Sequence, residues 1–184
     1  MRVVNVVATA DLRQSLDLEL LNSNQWGLYD LDIYPAGYVR DGWIQGRVVV
    51  FHTGKLISAG ANSVRGAFGN LVHAKSLLVK AGIAKEVKIN PRVRNMVASL
   101  DLGHAIDLVQ LVKNSPNVIY EPEQFPGAML KTKGESMSFL IFASGKIVIA
   151  GAKTLAELKF GARRIARLDS FLWKGNLGNA NETA

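Results

Sequence analysis

The sequence predicts an α+β fold of two tandem repeats. Paired edge to edge, they would give one long curved antiparallel sheet with helices on one face and the other face free. Three observations predict it: an internal duplication, the same order of elements in each copy, and strands apolar on both faces.

The duplication is read directly. Val3-Val4-Asn5-Val6-Val7-Ala8-Thr9-Ala10-Asp11-Leu12 aligns with Val93-Arg94-Asn95-Met96-Val97-Ala98-Ser99-Leu100-Asp101-Leu102, and Leu16-Asp17-Leu18 with Ile106-Asp107-Leu108. Tyr29-Asp30 through Tyr34-Pro35 then matches Tyr120-Glu121 through Phe125-Pro126. Phe51-His52-Thr53-Gly54-Lys55 matches Phe142-Ala143-Ser144-Gly145-Lys146, and Gly60-Ala61 matches Gly151-Ala152. The offset changes by one residue between the second and third blocks, as one small loop insertion requires. These blocks divide the chain into repeats over 1–88 and 91–174, with a linker near Glu86 to Pro91. The tail at 175–184, rich in Gly and Asn, is expected to be disordered.

Each repeat opens with a strand, Val3 to Thr9 or Val93 to Ser99. Asp11 or Asp101 follows as a helix N-cap candidate, then a short amphipathic helix near Leu16 to Asn22 or Ile106 to Lys113. Extended segments come next: Gly37 to Arg40, Arg47 to Phe51 and Leu56 to Ala59, with counterparts Ala128 to Lys131, Ser138 to Phe142 and Ile147 to Ala150. Thr53-Gly54 and Ser144-Gly145 are hairpin-turn signals between them. A long helix closes each repeat, about Ser63 to Ala81 and Thr154 to Leu172; in the second, Leu155, Leu158, Ala162, Ile165 and Leu168 recur at helical spacing. Helices placed on one side of such a sheet leave its other face free.

Composition narrows the chemistry. The 184 residues are 48% hydrophobic, enough for a packed core, and no apolar run is long enough to cross a membrane. The N-terminal residues run straight into a strand pattern without an export leader, so export is not expected. Cysteine is absent, which excludes disulfides, thiol catalysis and cysteine-held zinc; His52, His73 and His104 lack ligand spacing, so no metal or cofactor is expected. The segment Gly145 to Thr154 lacks the spacing of a phosphate-binding loop, and neither a dinucleotide fingerprint nor a nucleophile elbow occurs; an enzyme is not expected. A net charge of +7 points to a polyanionic partner.

Strand alternation puts Asn5, Val7 and Thr9 on one face of the first strand and Val4, Val6 and Ala8 on the other; Asn95, Val97 and Ser99 repeat the first set. The same face takes Val49, Ile57 and Ala59, matched by Leu140, Val148 and Ala150. A wide apolar face edged with Lys and Arg suits a DNA minor groove, whose walls are sugar and whose rims are phosphate. One Asn from each repeat can donate to the N3 and O2 acceptors of A·T pairs, and the guanine amino group would oppose it.

These residues resemble the TATA-box-binding protein family over essentially the whole chain apart from the tail. The most specific stretches are 93–99, Tyr120-Glu121-Pro122-Glu123-Gln124-Phe125-Pro126-Gly127 and Leu140 through Val148. The resemblance implies a saddle, with the sheet as its concave face and the helices on its convex face, and a general transcription factor that binds and bends TATA-box DNA and recruits transcription factor B and the RNA polymerase machinery. It implies wedges between base steps at Tyr34 and Phe51 and at Phe125 and Phe142, and phosphate contacts at Arg40, Lys55, Lys131 and Lys146. Glu121 and Glu123 would dock transcription factor B. The chain looks archaeal, which would place it on the chromosome in the cytoplasm, or in the nucleus of a eukaryote; a homodimer off DNA is left open.

Two departures from the family pattern stand out. Ala59 and Ala150 replace a threonine that reads bases near the centre of the site, and Tyr34 replaces a wedge phenylalanine. They support an alternative: a diverged paralogue with altered DNA specificity, serving mainly as a protein-interaction platform.

Overall fold

A computed structural model describes residues 1–131 and 136–172. The tail expected over 175–184 lies outside the described residues. The chain divides into two compact units, one over Val3–Asn95 and one carrying Met96 onward, and each is described by itself.

The first repeat contains β1 (Arg2–Asp11), a 3-10 helix (Leu18–Ser23), β2 (Gly27–Leu28), β3 (Gly37–Val39), β4 (Arg47–Val50), β5 (Lys55–Ala61) and α1 (Val64–Lys80). The second contains β6 (Arg92–Asp101), α2 (Leu108–Asn114), β7 (Val118–Ile119), β8 (Gly127–Lys131), β9 (Ser138–Phe142), β10 (Lys146–Ala152) and α3 (Leu155–Leu172). Strands run in the order β2-β3-β4-β5-β1 in the first repeat and β6-β10-β9-β8-β7 in the second, antiparallel within each. The α+β class, the duplication and the antiparallel sheet-and-helix pattern are as the sequence predicts.

Several local expectations are corrected. The first short helix is a 3-10 helix over Leu18–Ser23 rather than a helix from Leu16. Its end is rich in Asn and Ser, whose side chains compete for the backbone: Asn22 exchanges two bonds with the Tyr29 main chain and Asn24 reaches the Leu20 carbonyl. The second repeat has Val112 and Lys113 there and forms a true α-helix. Neither helix starts as early as predicted, because Asp17 and Asp107 are extended, at ψ 105° and 101°, and the helical turn begins only after them.

The N-caps are Asp17 and Asp107, whose carboxylates accept from the Glu19 amide and from the Val109 and Gln110 amides. Asp11 and Asp101 instead end their strands and accept from the amides of Arg13 and Gly103. The two-residue strands β2 and β7 were too short to show alternation.

The core lies on the helix side of each sheet. In the first repeat Val6, Ala8, Val48, Val50, Leu56 and Ala61 are buried beneath Ala67, Leu71, Ala74 and Leu78 of α1. Each large side chain sealed there contributes roughly 1.5–3 kcal/mol of apolar transfer. Val4, expected on this side with Val6 and Ala8, is 42% exposed, since it lies near the start of β1. Asn70 is the buried polar member of α1. Its amide bonds the Ser58 hydroxyl and both main-chain groups of Gln45, clamping the 41–46 loop to the helix.

Candidate nucleic-acid interface

The side of each sheet away from the core is open and built the same way twice. Across the first repeat the register runs Leu28–Tyr38–Val49–Ile57–Thr9. Across the second it runs Ile119–Met129–Leu140–Val148–Ser99. None of these side chains is buried, whereas flanking residues on the same strands, such as Val48, Leu56, Ile141 and Ile149, are. Period-2 alternation therefore sorts each strand cleanly into a sealed face and an apolar open one. Val7 and Val97 also lie half-buried on this open side.

Asn5 is oriented by a bulge. The β1–β5 register shifts between Val6 and Ala8, and opposite it Gly60 takes φ +102°. A Cβ at Gly60 would meet the Gly46 backbone at 2.8 Å, so glycine is required there. The Gly60 amide donates to Asn5 Oδ1 at 2.9 Å. That bond fixes which way round the amide sits, because Nδ2 facing an N–H would set donor against donor. Nδ2 is thus the end left to donate outward. Asn5 and Ala59 share an open depression of about 360 Å3 with Arg40 and Arg47. Asn95 holds the corresponding half-buried position on β6, where Gly151, at φ +98°, again marks a register shift in β10.

Of the predicted wedge residues, Phe51 and Phe142 stand at strand ends, and Tyr34 and Phe125 lie in the loops leading into β3 and β8. Phe51 follows β4 directly, its amide bonded to the Lys55 carbonyl, and Phe142 ends β9 before the matching turn. Phe125 is 42% exposed and meets Phe142 edge-on, with ring centroids 5.9 Å apart. Tyr34 is 41% exposed and stacks on Tyr38 at 6.1 Å.

The predicted phosphate contacts Arg40, Lys55, Lys131 and Lys146 are all exposed. Lys55 and Lys146 stand opposite Asp11 and Asp101 on the neighbouring strands, so each is partly offset by a carboxylate. Glu121 and Glu123 are exposed on the loop between β7 and β8, whose turn is closed by bonds from the Gln124 and Phe125 amides to the Glu121 carbonyl.

Sequence reasoning missed part of this face. Tyr38 lies on it one strand in from the outer edge, stacked on Tyr34, with the Arg47 guanidinium 5.6 Å from its ring. Alternation through Gly37 to Arg40 already put Tyr38 on the side of Arg40, but the Arg47 contact is set by the pairing of β3 with β4. Met129, its counterpart, is 41% exposed.

Comparison with known proteins follows the same lines. A family profile described as "Transcription factor TFIID (or TATA-binding protein, TBP)" matches residues 1–74 and 90–168. The chain belongs to this family. It is 46% identical to the TATA-box-binding protein of Cenarchaeum symbiosum over 160 residues, covering 86% of this chain and 87% of the relative. It is 34% identical to that of Aeropyrum pernix over 171 residues, covering 90% and 82%. Among solved structures, Methanococcus jannaschii TBP matches with a TM-score of 0.80 at 30% identity, covering 89% of this chain and 94% of that one.

The family is one of DNA-binding transcription factors. The two profile segments coincide with the two copies of the open row. Among the described residues no helix is long and apolar enough to cross a membrane, and no three His, Cys, Asp or Glu side chains gather as metal ligands. An apolar cavity of about 220 Å3 in the second unit, lined by Leu111, Ile141, Ile147 and Ile165, lies on the helix side and away from the open face.

Proposed function

We propose that this chain is a general transcription factor that binds and bends A·T-rich promoter DNA through the minor groove and recruits transcription factor B, and through it RNA polymerase. One observation carries the reading: the same open apolar row occurs in both repeats with an Asn beside each, and at Asn5 the Gly60 amide engages Oδ1 and leaves Nδ2 to donate. An apolar strip follows the sugar walls of a minor groove, and a fixed donor suits the N3 and O2 acceptors there. Tyr34, Phe51, Phe125 and Phe142 wedge between base steps and widen the groove, a trade of stacking for contact area of which TATA-binding proteins are themselves the standing example. Arg40, Lys55, Lys131 and Lys146 take the phosphates at the rims. Glu121 and Glu123 offer transcription factor B an exposed acidic loop. The work is binding and deformation, with no catalytic step, and in an archaeal cell it takes place on the chromosome in the cytoplasm.

The alanines at 59 and 150 favour a second reading, of relaxed sequence preference, because a methyl replaces a hydroxyl on the open face of each repeat. Selection of bound duplexes from a random DNA pool tests both. An A·T-rich consensus is expected. Enrichment of A·T without a fixed order would favour the relaxed reading, and no enrichment at all would remove sequence recognition.

A further inference from the structure

The first unit carries a basic groove that the second does not repeat. Thr9, Phe51, Lys55 and Ile57 of the open face border an open groove of about 610 Å3 whose other side is formed by Arg13, Lys88, Arg92 and Arg94. Asp11 is the one acid lining it. In the aligned positions of the other repeat, Arg13 becomes Gly103 and Arg94 becomes Val4, while Arg92 keeps its arginine as Arg2. The excess charge at this end of the chain's internal symmetry is therefore carried by Arg13 and Arg94, with Lys88 beside them.

Arg13 is the telling member. Its φ is +54°, the one non-glycine residue with positive φ among the described residues. Gly103 takes φ +79° in the same turn, closed by the same bond that its amide donates to the carboxylate of the strand-ending Asp. A side chain in the left-handed region is strained, and here the duplicate shows that glycine satisfies the turn. The turn itself does not call for an arginine.

The rest of the groove is held in place. Gln14 exchanges bonds with the Lys85 main chain at 2.8 and 3.0 Å. Lys75 pairs with Glu86 and also reaches the Val87 carbonyl. These fasten the segment leading to Lys88 and Arg92. Arg94 donates from Nε to Thr9 Oγ1 at 2.9 Å, which lays its guanidinium beside the open face.

We propose that Arg13, Lys88, Arg92 and Arg94 form a phosphate track that grips DNA flanking the bound site on the first-repeat side only. The inference rests on the minor-groove reading above. Continuity with Phe51 and Lys55 means a duplex seated on the open face runs its backbone into this groove, and the missing duplicate makes the grip one-sided.

The test compares the full chain with Arg13→Gly and with the triple variant Arg13→Gly, Lys88→Gln, Arg92→Gln. Binding to an A·T-rich duplex is titrated over a salt series, once with long flanks and once with both flanks trimmed to the site. Each lost phosphate contact lowers the salt slope by about 0.9, so the triple variant should lose about 2 to 3 on the long duplex and R13G about 1. On the trimmed duplex parent and variants should coincide. Hydroxyl-radical protection should extend further on one flank for the parent and become even for the triple variant.

Unchanged slopes on the long duplex would overturn the proposal, and so would equal losses on both duplexes, which would place the cations on the site itself. R13G relieves the backbone, so its melting temperature should not fall, and a loss of binding cannot then be a loss of fold. A parent that fails to prefer A·T-rich over G·C-rich duplex would sink the minor-groove reading instead, while the slope difference still reports on the groove.

Discussion

Replacing Asn5 with Asp isolates the donor that the minor-groove reading depends on. The Gly60 amide donates to Asn5 Oδ1 at 2.9 Å, and a carboxylate accepts that bond at least as well, so the bulge should survive. What changes is the outward end, where an NH2 donor becomes an oxygen acceptor. Against the N3 and O2 acceptors of an A·T pair this removes a hydrogen bond and sets lone pair against lone pair. A well-placed base contact carries about 1–3 kcal/mol of discrimination, roughly 5- to 150-fold in affinity. The Asp variant should fall in the upper half of that range and the Ala variant in the lower half. The Ala variant also leaves the Gly60 amide without its partner, but Gly60 is exposed and water can serve it, so stability should change by no more than about 0.5 kcal/mol. Anisotropy titrations against A·T-rich and G·C-rich duplexes at one salt concentration, with melting curves as the folding control, read the outcome. A new charge weakens binding to any DNA, so the ratio between the two duplexes is the decisive quantity. Because an outward acceptor can take the guanine amino group, that ratio should shrink or invert. An Asp variant that weakens both duplexes equally would refute the donor-outward geometry.

Asn70→Ala strips a buried side chain of its bonds to Ser58 and to both main-chain groups of Gln45, and should cost about 2–3 kcal/mol in urea unfolding; less than about 0.5 would mean the 41–46 loop is held otherwise. Asp41 should make stability acid-sensitive. Burial pulls its carboxyl upward, but the His73 hydrogen bond, the Trp43 amide, the His73 charge and the Ile44 amide outweigh this and hold it below its ordinary 3.8. A carboxyl depressed on folding stabilises above its unfolded value and loses that contribution as pH falls through the folded one. The melting-temperature gap between parent and Asp41→Asn should therefore be full at neutral pH and close below about pH 4; a gap independent of pH would remove the carboxylate from the account. Phe142→Ala breaks the edge-on contact with Phe125 and should lessen DNA bending measured by energy transfer between end labels, whereas an unchanged angle would confine Phe142 to packing.

The open face was legible because each strand is long enough to alternate. Asn5, Val7, Val49, Ile57, Asn95, Val97, Leu140 and Val148 stand clear of the sealed side, as period 2 requires. Elements without a local signal were not legible. The strands β2 and β7 have two residues each, and the first short helix tightened to 3-10 because of where Asn22 and Asn24 found partners. The Asp residues at 11 and 101 have a cap's composition, yet the Leu16 and Ile106 amides, which helices capped there would use for their own first backbone bonds, go to the carbonyls of His52 and Ala143.

By itself the sequence determined the duplication, the order of elements and which side of each strand meets the core, because hydrophobic periodicity is written along the chain. Tertiary structure alone decided which end of the Asn5 amide points outward, that Tyr38 rests between Tyr34 and Arg47, and that Arg13 joins Lys88 and Arg92 around one groove. Those depend on strand register and on contacts between residues far apart in sequence, and no local pattern encodes either.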